Sequence, residues 1–353
     1  MKMILRILPL VLLSTSFAYS QKLNQTQVIG SHNSYKSDMP KGILEYLSQI
    51  NPSASSSLAY SHIPLSDQLD LGLRNLELDV FHDPLGGRYS SPKGLAMLPD
   101  GFDFDPNQEL SQPGLKLFHV QDIDFLSHHL LFKNALMELK SWSDAQPNHH
   151  PIFILINAKD GQVPSTIPPL PFSAAALDSI DWEIQTYLGK EKLITPDEVR
   201  GNYSSLEEAV LAGNWPDLEK AKGKFLFVLD ENEEKIKRYL SLKPELKNAA
   251  LFVNLKEGNP EAGFRIINNP VAQESHIQEL VKKGYIVRTR ADSDTRQART
   301  DDYSQFEKAK SSGAQVISTD YYLPSTFFPS TYRIRFENGK FERSNPILSL
   351  PKN

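Results

Sequence analysis

The sequence contains no cysteine, which excludes disulfides, thiolate metal sites and a cysteine nucleophile together. It has no basic run or patch: 38 Lys and Arg face 43 Asp and Glu, for a formal net charge of −5. A nucleic-acid partner is therefore not expected, nor strong electrostatic capture by an anionic surface. Walker and dinucleotide-type glycine loops are missing, as are a Gly-x-Ser-x-Gly elbow and a His-Glu-x-x-His helix. Nucleotide-binding, serine-hydrolase and zinc-protease chemistries lose their support with them. The apolar run at residues 7–13 is far short of the ~20 residues that span a bilayer.

That short run instead reads as the core of a secretory signal over residues 1–20. Lys2 and Arg6 supply its positive end, and Ala18-Tyr19-Ser20 offers small residues at a cleavage point. The mature chain then starts near Gln21, and loss of Lys2 and Arg6 takes the charge from −5 to −7. The expected compartment is secreted or periplasmic, so a cysteine-free protein must rely there on its core or on a metal. Residues 21–353 read as a single domain of ordinary globular composition, with 40% hydrophobic and 23% charged residues.

Eight strand-like segments recur along the chain, most of them separated by helical patterns: residues 28–31, 74–81, 115–120, 151–156, 224–230, 250–254, 285–290 and 314–320. Residues 151–156 are wholly apolar, as in strands buried on both faces. This repeat predicts a (β/α)8 TIM-type barrel. An open doubly wound sheet is disfavoured because Gly30-Ser31-His32-Asn33 lacks the dinucleotide pattern. Residues 332–336 and 341 onward, around Asn338-Gly339, predict a short C-terminal hairpin appended to the barrel. Residues 82–114, rich in Gly, Pro, Asp and Ser, predict a long rim or lid, with Leu95, Met97, Phe102 and Phe104 able to touch lipid or to pack on the barrel top.

Polar residues at the ends of separate strands are what a barrel enzyme needs to assemble one site. His32 and His119 each close a strand-like segment, and such a pair suits a reaction in which one group removes a proton and the other delivers one. The other seven histidines, His62, His82, His128, His129, His149, His150 and His276, read as surface or rim. Glu77 and Asp79 share one face of the second strand, opposite an apolar face. With Asn33 and Asn157 they form an all-oxygen set that favours calcium or magnesium over zinc. Lys159 and Arg290, also at strand ends, offer positive charge to an anionic substrate. Asp122, Asp124 and Asp320 lie near strand ends without an assignable role.

These segments resemble a known family. Ser31-His32-Asn33-Ser34-Tyr35, Glu77-Leu78-Asp79 and Phe118-His119-Val120 look like the His-Asn, Glu-x-Asp and second-His segments of phosphoinositide-specific phospholipase C. The stretches 119–125, 288–292, 312–320 and 344–346 are similar to its secreted, calcium-dependent bacterial branch. The resemblance runs from about residue 28 to 346. It implies attack of the inositol 2-hydroxyl on phosphorus, giving diacylglycerol and an inositol cyclic phosphate. It places His32 at the attacking side and His119 as general acid, with Ca2+ held by Asn33, Glu77, Asp79 and Asn157. The family commonly carries glutamate where this chain has Asn157, so a weaker calcium site is implied. The implied partner is a phospholipid met transiently at a membrane surface by a monomer. The alternatives are a glycerophosphodiester phosphodiesterase acting on deacylated lipids and a non-catalytic calcium-dependent lipid-binding protein.

Overall fold

The computed structural model describes residues 20–348; the signal expected over residues 1–20 lies, but for Ser20, outside the described residues. Ten strands occur in chain order: β1 (Thr26–Ser31), β2 (Asn75–Phe81), β3 (Lys116–Leu117), β4 (Ile152–Ala158), β5 (Phe225–Leu229), β6 (Leu251–Val253), β7 (Phe264–Ile266), β8 (Ile286–Arg290), β9 (Val316–Thr319) and β10 (Glu342–Ser344). Their ladders form two sheets, ordered β10-β1-β9-β8-β7 and β3-β2-β4-β5-β6. All pairs are parallel except β2 with β3 and β1 with β10.

The two sheets meet at two seams. Between β6 and β7, Asn254 and Phe264 form an isolated parallel bridge. Between β1 and β2, the Arg74 N–H donates to Ile29 O at 3.1 Å. The second seam is close because residue 30 is glycine: a Cβ there would lie 2.0 Å from the Asn75 carbonyl oxygen. With β3 and β10 set aside, the parallel strands run β1-β2-β4-β5-β6-β7-β8-β9 and return to β1, which is the strand order of a (β/α)8 barrel. The ladders are continuous only within the two halves.

Burial explains why these segments are strands. Every residue of β2 and β5, and all but Asn157 of β4, is buried. A run such as Ile152-Phe153-Ile154-Leu155-Ile156 has apolar contacts on both faces, with barrel centre inside and helices outside. Helices such as Phe132–Ala145 and Ala174–Glu183 contribute Leu136, Leu139, Leu177 and Ile180 to the same core. Among the described residues no helix is long and apolar enough to cross a membrane.

Two strand expectations are corrected. Residues 115–120 do not form the third barrel strand, because the segment pairs with its own chain: Leu117 N–H donates to Leu130 O (3.1 Å) and Phe132 N–H to Leu115 O (2.9 Å). What remains is two residues antiparallel to the end of β2. No gap is left, because β2 pairs directly with β4; the eighth parallel strand is β7, between β6 and β8, whose three residues are too short to show a period. The C-terminal hairpin is also corrected. Glu342–Ser344 pairs antiparallel with β1 and not with residues 332–336. Tyr332, Ile334 and Phe336 instead bury into a satellite core with Tyr321 and Phe341, and the Asn-Gly turn is closed locally by the Phe336 N–H to Lys340 O (2.7 Å) and Gly339 N–H to Phe336 O (3.2 Å) bonds.

Candidate active site

Strand register decides which side chains share the barrel mouth. Glu77 pairs with Leu155 and Asp79 with Asn157 across β2 and β4. Leu155 pairs with Val228 across β4 and β5, so Asp230, two residues on, stands beside Asn157; its N–H donates to Ile156 O at 2.9 Å. On the other half, Arg288 and Arg290 share a face with Val316 and Ser318, and Ser318 pairs with Gly30. Alternation carries that face to Asp320 and His32.

The turn after β1 is stapled to β2. Ser34 N–H donates to Glu77 O (2.9 Å), and Glu77 N–H donates to the Ser34 hydroxyl (2.8 Å). Within this turn Asn33 adopts φ 49°, uncommon outside glycine, and its amide donates to the Tyr60 hydroxyl at 2.7 Å. Lys36 then crosses to the next loop, where its ammonium lies 2.7 Å from Asp124 Oδ1. The other Asp124 oxygen is 2.8 Å from His119 Nδ1. The two histidine segments are thus joined through one buried ion pair.

Each histidine is held in the same manner. His32 Nδ1 is 2.8 Å from Asp320 Oδ1, and Arg290 Nη2 donates to Asp320 Oδ2 at 3.2 Å. An Nδ1–H that donates to a carboxylate fixes the tautomer and leaves Nε2 with its lone pair. Burial opposes ionisation of Asp320, but His32 and Arg290 outweigh it and hold the carboxyl below its usual range. Burial likewise opposes ionisation of Asp124, and Lys36 and His119 overcome it. Asp292, behind Asp320, accepts its N–H at 2.9 Å; burial and the Asp320 charge push its carboxyl up. Asp124 and Asp320, unassigned from sequence, are the orienting partners of the two histidines. Asp122 instead accepts the Lys93 N–H (3.0 Å) and Ile167 N–H (2.6 Å), fastening the rim.

Between these dyads lies the carboxylate pair. Glu77 Oε2 is bound by Arg288 Nη2 at 2.6 Å, while Oε1 accepts from Asn157 at 3.0 Å and stands 3.7 Å from His32 Nε2. Asp79 Oδ2 is 3.1 Å from Lys159 Nζ, and its charge raises the Lys159 pKa. Asp79 Oδ1 is buried without a hydrogen bond. Arg290 Nη1 and Nη2 each lie 3.4 Å from a ring nitrogen of His32. Of the eight residues singled out from sequence, Glu77 and Asp79 lie within β2 and the rest at strand ends or in the adjoining loops. Contacts link Glu77 with Asn157 and His32, His32 with Arg290, and Asp79 with Lys159, while Asn33 is held by Tyr60 and His119 is tied to the turn after β1 through Asp124 and Lys36.

Sequence reasoning missed several members. Arg288 is buried against Glu77. Asp230 closes β5 on the inner face; burial pushes its carboxyl up to about 7, with Arg288 opposing and Glu77 reinforcing. The Leu226-x-Val228-x-Asp230 alternation carried the same signal as Glu77-x-Asp79. His62 and His149 are corrected from surface to buried. His62 hydrogen-bonds the His32 carbonyl (2.7 Å) and stacks on Tyr322; burial lowers its pKa to about 4 although Asp320 opposes this.

With this geometry in place, the chain can be set beside known proteins. Residues 21–346 match the model of the family described as phosphoinositide phospholipase C, Ca2+-dependent. The chain belongs to that family and is an enzyme of phosphoinositide phospholipase C type whose family cofactor is Ca2+. Among solved structures it is similar to the calcium-dependent phosphoinositol-specific phospholipase C of a Gram-negative Pseudomonas species, with 16% identity, TM-score 0.55 and coverage of 92% of this chain and 96% of that one. The phosphatidylinositol-specific phospholipase C of Streptomyces antibioticus gives 18% identity, TM-score 0.55, and coverage of 87% and 98%. These likenesses bear on the fold alone. No curated protein matches.

The residues present fit a hard cation. Glu77 and Asp79 each give one oxygen to a cationic side chain and keep another, Oε1 and Oδ1, on the inner face. The Asn33 amide nitrogen is committed to Tyr60 and that of Asn157 to Glu77, so both present carbonyl oxygens as their remaining acceptors. Such a set is all oxygen, as calcium prefers. Among the described residues, no three His, Asp or Glu side chains converge as a ready-made metal cluster.

Proposed function

We propose that the enzyme cleaves phosphatidylinositol-type lipids by internal transfer, giving diacylglycerol and an inositol cyclic phosphate. The observation that carries this reading is the pair of histidines, each held through Nδ1 by a buried carboxylate at 2.8 Å. Each Nε2 is thereby left for proton transfer. His32 Nε2 takes the proton of the inositol 2-hydroxyl as its oxygen bonds to phosphorus. His119 Nε2–H gives a proton to the glycerol oxygen as its bond to phosphorus breaks. Asp320 and Asp124 stabilise the imidazolium forms and hold ring orientation.

Arg290 and Lys159 counter the charge of the phosphodiester. Asn33, Glu77, Asp79 and Asn157 would hold Ca2+, which supplies charge neutralisation at phosphate and a lower pKa for a nearby hydroxyl. A cavity of about 460 Å3, lined by Tyr60, His62, Asp320, Tyr322 and Phe327, adjoins His32 and offers space for part of the lipid. The enzyme acts as an exported monomer of one domain that visits the membrane surface transiently; Leu85 and Phe102, exposed on the rim, suit that contact.

A product assay tests the reading. Purified enzyme is given phosphatidylinositol or glycerophosphoinositol, each with calcium or chelator, and phosphorus NMR identifies the product. The expected result is cyclic phosphate from phosphatidylinositol, abolished by chelator and restored by calcium but not magnesium. Preference for the deacylated substrate would assign a glycerophosphodiesterase, and no turnover of either would leave a binding protein.

A further inference from the structure

We propose that Asp230 is a ligand of the Ca2+ bound against Glu77 and Asp79, supplying the negative charge that the neutral Asn157 does not. The proposal rests on the calcium reading of that carboxylate pair. Its first support is register: Asp79 pairs with Asn157, Ile156 with Leu229, and Asp230 N–H donates to Ile156 O at 2.9 Å. Asp79, Asn157 and Asp230 therefore form one row across three adjacent strand ends on the inner face. Glu231 falls on the other face and is engaged there, by the Ala158 N–H at 2.7 Å and Lys235 at 3.1 Å.

The second support is what holds each carboxylate. Glu77 is committed through Oε2 to Arg288 and Asp79 through Oδ2 to Lys159. Asp230 accepts no side-chain hydrogen bond and forms no ion pair among the described residues. Asp79 Oδ1 is buried without a short hydrogen bond, its carboxylate facing the buried Tyr35 hydroxyl. Lys159 and Arg288 offset part of the charge at this row, yet Asp79 still acts against ionisation of Asp230 across it, and a cation bound between the two would relieve that repulsion. The three carboxylates do not already stand at ligating distance of one point. With Asp230, the set holds three carboxylates, and ligand charge is what tunes calcium affinity.

Asp230→Asn keeps the shape and removes the charge. Calcium binding is measured by titration calorimetry on the full-length enzyme, and by the calcium-induced rise in Tm. The expected result is at least ~10-fold weaker binding with Tm in chelator unchanged or higher. Asn157→Asp in the Asp230→Asn background should recover most of the affinity by restoring a carboxylate to the same row. Should Asp230→Asn fold poorly, Asp230→Ser carries the same test. Affinity within twofold of wild type overturns the proposal. Asp79→Asn is the control: if it abolishes binding while Asp230→Asn leaves it intact, only the Asp230 assignment falls. If neither variant changes binding, the calcium reading of the pair falls with it.

Discussion

Replacing Asp124 by Asn should separate catalysis from stability in one residue. Asp124 Oδ1 faces Lys36 at 2.7 Å and Oδ2 faces His119 Nδ1 at 2.8 Å, with the side chains of Lys36 and Asp124 0% and 1% exposed. An amide has one acceptor to offer. The Lys36 ammonium, buried and able only to donate, claims it, so the Asn NH2 turns toward His119. His119 must then accept at Nδ1, and the doubly protonated ring needed for a general acid is disfavoured. Loss of a positioned acid is worth about 10²–10⁴-fold, so turnover on the lipid should fall at least ~10²-fold. Leaving Lys36 without its counter-ion should also cost ~3 kcal/mol of stability. The second effect can be removed: Lys36→Met with Asp124→Asn takes away the unpaired charge and should regain most of the Tm, yet none of the turnover. Lipid turnover and thermal melts on both variants decide it. Near-wild-type turnover in Asp124→Asn, or recovery of turnover along with Tm in the double variant, would refute the orienting role.

Asn157→Glu should tighten calcium binding in calorimetry by adding a ligand charge, and lower Tm in chelator because the new carboxylate meets Glu77 Oε1, to which Asn157 now donates at 3.0 Å; unchanged affinity would remove residue 157 from the calcium site. Away from the mouth, burial raises the Glu183 carboxyl from 4.5 to about 7, only partly offset by the Leu115 N–H. Between those values the folded state binds a proton that the unfolded state has released, so stability falls as pH rises across that window. Glu183→Gln abolishes the titration, and its unfolding free energy should exceed that of wild type increasingly from pH 5 to pH 8, by on the order of 2–3 kcal/mol at the top, with Tm rising in step; a pH-independent difference would contradict this.

How much was legible follows from sequence distance and strand length. The apolar runs of β4 and β5 and the Glu77-x-Asp79 alternation announce themselves locally, because their periods reflect burial on one or two faces. The role of Asp320 does not, since its partner His32 lies 288 residues away; Asp124 stands only five residues from His119, but that contact needs the turn at 120–124, and its second partner Lys36 lies 88 residues away. The strand-like reading of residues 115–120 failed because alternation is equally satisfied by a ribbon closed on residues 130–132. β7, with three residues, is too short to carry any period. His62 and His149 look like surface residues in the sequence because the neighbours that cover their loops, Tyr322 and Gly223 among them, are distant along the chain.

The division of labour between the histidines is the centre of this account, and two variants on two substrates measure it. His32→Ala and His119→Ala are assayed on phosphatidylinositol and on an inositol phosphodiester with a nitrophenol leaving group, with circular dichroism as the folding control. Nitrophenolate departs without a proton, so His119→Ala should lose at least ~10²-fold on the lipid and far less on the nitrophenyl ester. His32→Ala should be impaired on both, because attack by the 2-hydroxyl is common to them. Equal losses for His119→Ala on the two substrates would contradict its assignment as general acid, and wild-type rates in both variants would contradict the catalytic role of the pair.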